Sequence, residues 1–421
     1  MEPSKLCEAE PRDFVPGRWI LMNATAKVTD HMEVPSSIKP MVLDPLPEQP
    51  LVSILISNYN YGEYLGDAIE SALRQTYDKL EIVICDDGST DDSFRILERY
   101  RSLDRRIKVI YQANGGQSLA LNAAFHKSTG DIICLLDADD VFMPDKVRRV
   151  VEAFAAAPDA GLAVNRMLIV GKNRKCLGKI PLLSHLATGW QGPSLDICGP
   201  RVLPGLPPSS GLSLRRVIAE SVFPLPSGLG AYADTLIQVL TPRITLIVAV
   251  QTPSSEYRVH GANVAAVSAF TKDRLKNLAV WEREIWRAWR QRILPSSARS
   301  LGMPASETTP TLMDYAYARF RSDTKSKDVY RAIPRDYFQA LPSLFRWYWR
   351  ASQVMPDWLF RKSFAFVYGQ TRAKRVAGRI VSIFRNNFWA CKRFFERTGC
   401  TRHRVSNTER NTGLNESAGS L

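Results

Sequence analysis

Three clusters of polar residues in this 421-residue chain have the types and spacing of a site that handles phosphate and a hard cation. The first is Asp137-Ala138-Asp139-Asp140, set directly after the apolar run Ile132–Leu136. Like charges at close range repel, so such a cluster is stable chiefly where a cation or ordered donors neutralise it. Carboxylate oxygens suit Mg²⁺ or Mn²⁺, which also take oxygens from substrate phosphates. Helix capping ahead of Pro144 would use one of these acids and leave the others unexplained. The second cluster is Asp86-Asp87-Gly88-Ser89-Thr90-Asp91 and the third is Ser57-Asn58-Tyr59-Asn60-Tyr61-Gly62. Asp-Gly alone is ordinary turn chemistry. What gives the three clusters weight is that each follows a strand-like run.

Those runs and the helical segments between them must position the polar groups. Val52–Ser57, Leu80–Cys85, Ile107–Tyr111 and Asp131–Leu136 are apolar and of buried-strand length. Leu65, Ala68, Ile69, Ala72 and Leu73 recur at helical spacing, as do Phe94, Leu97 and Tyr100, and a further helix runs through Leu119–Phe125. Pro144 stands where the first residue of a helix favours proline, ahead of Asp145–Ala156. Strand and helix in alternation imply an α/β fold with a mostly parallel sheet and flanking helices. Ligands of such sheets bind beyond the C-terminal ends of the strands, where the three clusters fall. Further strands are expected at Leu162–Val170, Gly211–Leu214 and Ile244–Val250, and helices at Arg216–Val222 and Tyr232–Leu240. The Gly- and Pro-rich stretch 189–208 reads as a long loop, a frequent site of function.

The stretches VSILISNYNYGEYLGDAIESALRQTYDKLEIVICDDGSTDDS and NGGQSLALNAAFHKSTGDIICLLDADDVFMPDKV resemble glycosyltransferase family 2 in order and spacing. The resemblance is strong across Leu51–Phe154 and continues more weakly through LPPSSGLSLRR, GAYADTLIQVL and EYRVHGANV to about residue 267. It implies a Rossmann-like GT-A fold, a nucleotide-activated sugar as donor, transfer with inversion, and Mg²⁺ or Mn²⁺ as cofactor. It places nucleotide contacts at Ser57, Asn58 and Tyr59, makes Asp86 the acid facing the nucleobase, and sets Asn114 and Gln117 along the nucleotide and sugar. Asp137 and Asp139 become the Asp-x-Asp pair, Asp137 near the ribose or metal and Asp139 a direct ligand, with Asp140 as a helper. The general base falls on Asp234, although the family often has Glu-Asp there and this chain has Ala233-Asp234. His260, in Tyr257-Arg258-Val259-His260-Gly261-Ala262-Asn263, becomes a metal or phosphate ligand, and Arg258 a neutraliser of the diphosphate. Arg215-Arg216 reads as a strand cap in preference to an acceptor contact.

Charge separates the chain into unlike parts. The net charge is +14, yet residues 271–421 hold 29 Lys+Arg against 12 Asp+Glu, which leaves residues 1–270 slightly acidic. The basic part also carries most of the Trp residues. Its stretch 372–397 has Val376, Ile380, Ile383, Phe384, Phe388, Cys391 and Phe395 at helical spacing among Arg and Lys, a pattern suited to an anionic membrane interface. The competing reading is a helical subdomain packed on the catalytic domain, with Arg stems covering apolar surface. Nucleic acid is not an expected partner, because no reading motif accompanies the charge. The seven Cys are odd in number and lack C-x-x-C spacing, so the chain reads as reduced, with neither a disulfide framework nor a zinc site. Met1–Asp13 has no apolar secretory core, and no run reaches the roughly 18 apolar residues of a spanning helix.

The expected organisation is an N-terminal arm at 1–50 that packs locally through Trp19-Ile20-Leu21, a catalytic domain at 51–270, a helical aromatic-basic region at 271–400 and a polar tail at 401–421. The expected function is transfer of a single sugar from a UDP-sugar or similar donor to a saccharide or lipid-linked saccharide. The protein would be cytoplasmic, with peripheral contact at the cytoplasmic face of a membrane. Processive synthases of the family usually carry transmembrane helices and Gln-x-x-Arg-Trp, neither of which is evident here. The alternatives are a nucleotidyltransferase, which would normally show a basic Gly-rich loop where this chain has SNYNYG, and a catalytically silent assembly subunit.

Overall fold

The computed structural model describes residues 39–179, 186–192, 202–203, 205–230, 232–260, 263, 271–293, 310–333 and 343–368. Residues 1–38 of the expected 1–50 arm, most of the 189–208 loop, the 372–397 stretch and the tail lie outside the described residues. All described residues belong to one compact unit that ends at Thr371.

Four parallel strands come first: β1 (Val52–Asn58), β2 (Leu80–Asp86), β3 (Ile107–Tyr111) and β4 (Ile132–Asp137). β1 lies between β2 and β4, with β3 outside β2. The chain therefore builds outward on one side of β1 and then crosses to the other. The helices between them are α1 (Gly62–Leu73), α2 (Ser93–Leu103) and α3 (Gln117–Lys127), and α4 (Lys146–Ala156) follows the short β5 (Val141–Phe142). Asp145 occupies the N-cap of α4, so Pro144 stands just outside the helix that it was expected to open. Each central strand buries both faces. Val52, Ile54 and Ile56 pack against Leu65, Ala68 and Ile69 of α1 and Val147, Val150 and Phe154 of α4. Leu55, Val83 and Leu135 face the opposite layer, which includes Ala120, Leu121 and Ala124 of α3. Burial on both sides is why these strands read as continuous apolar runs.

Beyond β4 the sheet changes direction. β8 (Leu212–Arg215) runs antiparallel to β4 and to β6 (Ala160–Gly171), and β6 pairs in parallel with the long β9 (Leu246–Val259). β7 (Cys176–Lys179) adds to β6, and β5 adds to β9. Between β8 and β9 lie α5 (Arg216–Val222) and α6 (Ala233–Ile244). Arg215 and Arg216 act at the strand ends: Arg215 donates to the Pro158 carbonyl at 2.7 Å and to that of Asp44, and Arg216 donates to the Gly130 carbonyl at 2.6 Å. Cys85 and Cys134 are free and buried. Cys176 is disulfide-bonded, which corrects the fully reduced reading.

The C-terminal third is helical where described: α7 (Lys272–Ile293), α8 (Leu312–Phe320), α9 (Ser326–Arg331), α10 (Ser343–Ser352) and α11 (Asp357–Tyr368). Trp281 and Trp289 of α7 belong to the same apolar layer as α3 and α6. Tyr315, Phe320, Trp349, Phe360 and Phe364 form an aromatic core with mostly edge-on contacts. Arg319 is buried among them, with Asp357 at 2.7 Å, the Ser352 and Met355 carbonyls at 2.6 Å and the Phe360 ring 4.7 Å away. Its charge is thus matched on every side, as burial of a guanidinium requires. No helix among the described residues is long and apolar enough to cross a membrane.

Candidate active site

The crossover between β1 and β4 opens a cleft at the C-terminal ends of the strands, of about 480 Å³. Register brings the clusters together, because Asn58 lies opposite Asp86 and Ser57 opposite Asp137. Ser57, Asn58, Tyr59, Asn114, Gln117, Asp137, Asp139 and Asp234 all line the cleft. Asp86 and His260 stand one layer behind it.

Asp86 is buried and tightly bonded. Its carboxylate accepts from the Asn58 amide at 2.7 Å, from Ser89 Oγ at 2.6 Å and from the Ser89 backbone N–H at 3.0 Å. Asp87 has a different task, which the sequence did not disclose. It accepts from Gln112 Nε2 at 2.6 Å and from the backbone N–H groups of Gly115 and Gly116 at 2.9 and 2.7 Å. It thereby holds the 112–116 loop that carries Asn114 and leads into α3. Gly88, at φ +75°, lets the turn pass beneath that loop, where a Cβ would lie 2.9 Å from the Asn114 nitrogen.

At the end of β4, oxygen atoms of Asp137, Asp139 and Asp140 lie within 4.8 Å of one another. Gln117 Nε2 donates to Asp137 at 2.9 Å. Asp139 meets His260 Nε2 and Asn263 Nδ2, each at 3.0 Å. Asn263 also accepts the His260 backbone N–H at 2.8 Å, and the imidazole packs 4.5 Å from the Tyr64 ring. Burial pushes the Asp140 carboxyl well above its ordinary value, and the neighbouring Asp139 and Asp137 push it further. Burial and the same acids raise the Tyr61 phenol. An all-oxygen set of crowded carboxylates fits a hard divalent cation. Arg258 does not reach into the cleft. It is buried, donates to Asp67 of α1 at 2.7 Å, and lies 4.9 Å from the Tyr64 ring.

Asp234 approaches from another element. It is 2% exposed in the first turn of α6, where the helix dipole favours a negative charge. The turn before it is supported from two sides. Asn122 of α3 exchanges hydrogen bonds with Leu225, donating to its carbonyl at 2.8 Å and accepting its N–H at 2.7 Å. Trp281 of α7 packs 5.4 Å from Tyr232, and Arg292 donates to the Val222 and Pro224 carbonyls.

A strand-crossover cleft that gathers carboxylates and amides in this way suits a ligand that carries phosphate with a hard cation, and the comparisons with known proteins narrow the class. Residues 53–193 match the profile described as Glycosyl transferase family 2. The chain is 38% identical over 238 residues to an uncharacterized glycosyltransferase of Nostoc sp., covering 54% of this chain and 71% of that protein. It is 45% identical over 105 residues to chondroitin synthase of Escherichia coli, covering 25% of this chain and 15% of that enzyme. The crystal structure of S. aureus TarS 1-349 with UDP-GlcNAc superposes with a TM-score of 0.50 at 17% identity, covering 76% of this chain and 90% of that one. The chain belongs to glycosyltransferase family 2 and is a glycosyltransferase with a GT-A fold.

Proposed function

We propose that this enzyme inverts the anomeric centre while moving one sugar from a UDP-sugar to a saccharide or lipid-linked saccharide during polysaccharide synthesis. The observation that carries the reading is the division of the cleft. The Asp137–Asp139–Asp140 cluster sits at the end of β4, and Asp234 sits on α6. The chondroitin synthase relative and the UDP-GlcNAc held by TarS support the choice of process and donor.

In this reading Asn58, Asp86 and the 57–59 strand end receive the base and ribose, while Asn114 and Gln117 flank the diphosphate and sugar. Asp137 and Asp139 would hold Mg²⁺ or Mn²⁺, with His260 orienting Asp139. When bound, that cation neutralises charge on the diphosphate leaving group. Asp234 accepts the proton of the acceptor hydroxyl as its oxygen bonds to the anomeric carbon, and the bond from that carbon to the diphosphate breaks on the opposite face. One displacement uses one carboxylate base, and inversion follows. The catalytic part corresponds to residues 51–270.

We place the enzyme in the cytoplasm, in peripheral contact with an anionic membrane. α10 and α11 support this by exposing Trp347 and Trp358, at 66% and 62%, near the exposed Arg350, Arg361 and Lys362. Interfacial sites favour Trp beside cations. The function is tested by measuring UDP release from UDP-GlcNAc and related donors with Mn²⁺, with and without a saccharide acceptor. Donor turnover that is lost in Asp139→Asn supports the reading; no turnover or binding of any nucleotide sugar would overturn it.

A further inference from the structure

Lys146 is fully buried at the start of α4, yet among the described residues no carboxylate contacts its ammonium group. Its Nζ donates to Asn165 Oδ1 at 2.7 Å and to the Ser210 carbonyl at 3.0 Å, and it lies 4.3 Å from the Phe142 ring. Two oxygens and an aromatic face therefore use the three donors of the ammonium. Burial brings its pKa down to about 8. A buried amine with only neutral partners is costly and would be better replaced by an apolar side chain if packing were its whole purpose.

What the amine holds is Ser210. The Ser210 carbonyl also accepts from Ser255 Oγ at 2.6 Å, and Ser255 Oγ accepts from Asn165 Nδ2 at 3.1 Å, which closes a buried polar ring. The other end of Ser210 meets the acidic cluster. Its hydroxyl accepts the backbone N–H of Asp137 at 3.0 Å. The adjacent Pro208 and Ser209 form part of the cleft wall.

We propose that Lys146 is a positioning residue for the cation-binding carboxylates, acting through Ser210. This rests on the reading that Asp137 and Asp139 hold a divalent cation. Lys146 fixes the carbonyl side of Ser210, and Ser210 fixes the backbone of Asp137 at the start of the acidic cluster. Groups that orient ligands from behind typically change metal affinity by about 10- to 100-fold when removed.

The test is direct titration of the full chain with Mn²⁺ in the absence of donor, read by electron paramagnetic resonance of the free ion. Lys146→Met keeps the length of the side chain, and Ser210→Ala keeps the carbonyl that Lys146 grips. Each is expected to weaken Mn²⁺ binding by about tenfold. The double variant is expected to be no weaker than the worse single one, because both act in one chain of contacts. Unchanged Mn²⁺ affinity in both folded single variants, even with a lowered melting temperature, overturns the inference, and so does strict additivity. Should Lys146→Met fail to fold, unchanged affinity in Ser210→Ala alone suffices to overturn it. Wild-type protein that binds no Mn²⁺ overturns the cation reading itself, a result distinct from the others.

Discussion

Replacing Asp234 by Asn separates chemistry from binding and from folding, because the side chain keeps its shape and loses its charge and its ability to take a proton. Removal of a general base slows the reaction by about 10²- to 10⁴-fold, roughly 3–5 kcal/mol of barrier. The effect on stability is smaller and partly self-cancelling. Asp234 sits in the first turn of α6, so neutralisation forfeits a helix-dipole interaction of about 0.3–2 kcal/mol. It also relieves the desolvation of a side chain that is 2% exposed. Turnover is therefore expected to fall by at least about 100-fold while the melting temperature moves by a few degrees. The assay is UDP release with acceptor across a pH series, alongside calorimetric donor binding. In wild-type protein the rate declines on the acid side as the base protonates; in Asp234→Asn that limb disappears and donor affinity is retained. A variant that keeps more than a tenth of wild-type turnover would refute the assignment of the base.

Three further outcomes are expected. Asp87→Ala removes the acceptor of three hydrogen bonds from the 112–116 loop, so it should cost about 3 kcal/mol in urea unfolding and raise the donor KM; unchanged stability would contradict the loop-anchoring role. Glu282 on α7 has its carboxyl pushed up from 4.5 to about 7, chiefly by burial. The folded state therefore binds the proton more tightly, so stability should fall as pH rises through that window, and Glu282→Gln should flatten the fall in a melting series. Trp281→Ala opens a cavity beside Tyr232, which should cost about 3–5 kcal/mol and lower kcat, checked by denaturation and steady-state kinetics.

The parallel half of the fold was legible because strands buried on both faces leave uninterrupted runs such as Ile54-Leu55-Ile56, and their ends fix where polar residues gather. Ile107–Tyr111 and Arg216–Val222 match their expected bounds. The antiparallel half was harder to read. β9 was expected to stop at Val250 but continues to Val259 through Thr252-Pro253-Ser254-Ser255, a stretch with no apolar alternation. Its pairing with β6 slips in register there, and β6 supplies the partner that the local sequence does not imply. Two-residue β5 is too short to leave any pattern. Within the site, residue type did not distinguish Asp86 from Asp87, since only the fold shows which carboxylate meets the 112–116 loop. Arg258 looked like a phosphate ligand because its partner Asp67 is 191 residues away in sequence. Nothing in the local sequence marks Lys146, because its partners Asn165 and Ser210 come from distant segments.

The carboxylate cluster and the turn before Asp234 lean on different outer elements. The carboxylate cluster is carried by β4 and steadied by His260 and Asn263 at the far end of β9. The turn before Asp234 leans on α7 through Tyr232 and Trp281 and through the hold of Arg292 on Val222 and Pro224. Helix α3 bridges the two, with Gln117 on Asp137 and Asn122 on Leu225. The two walls of the cleft thus rest on different outer elements, the end of β9 and α7, and share a single inner one, α3.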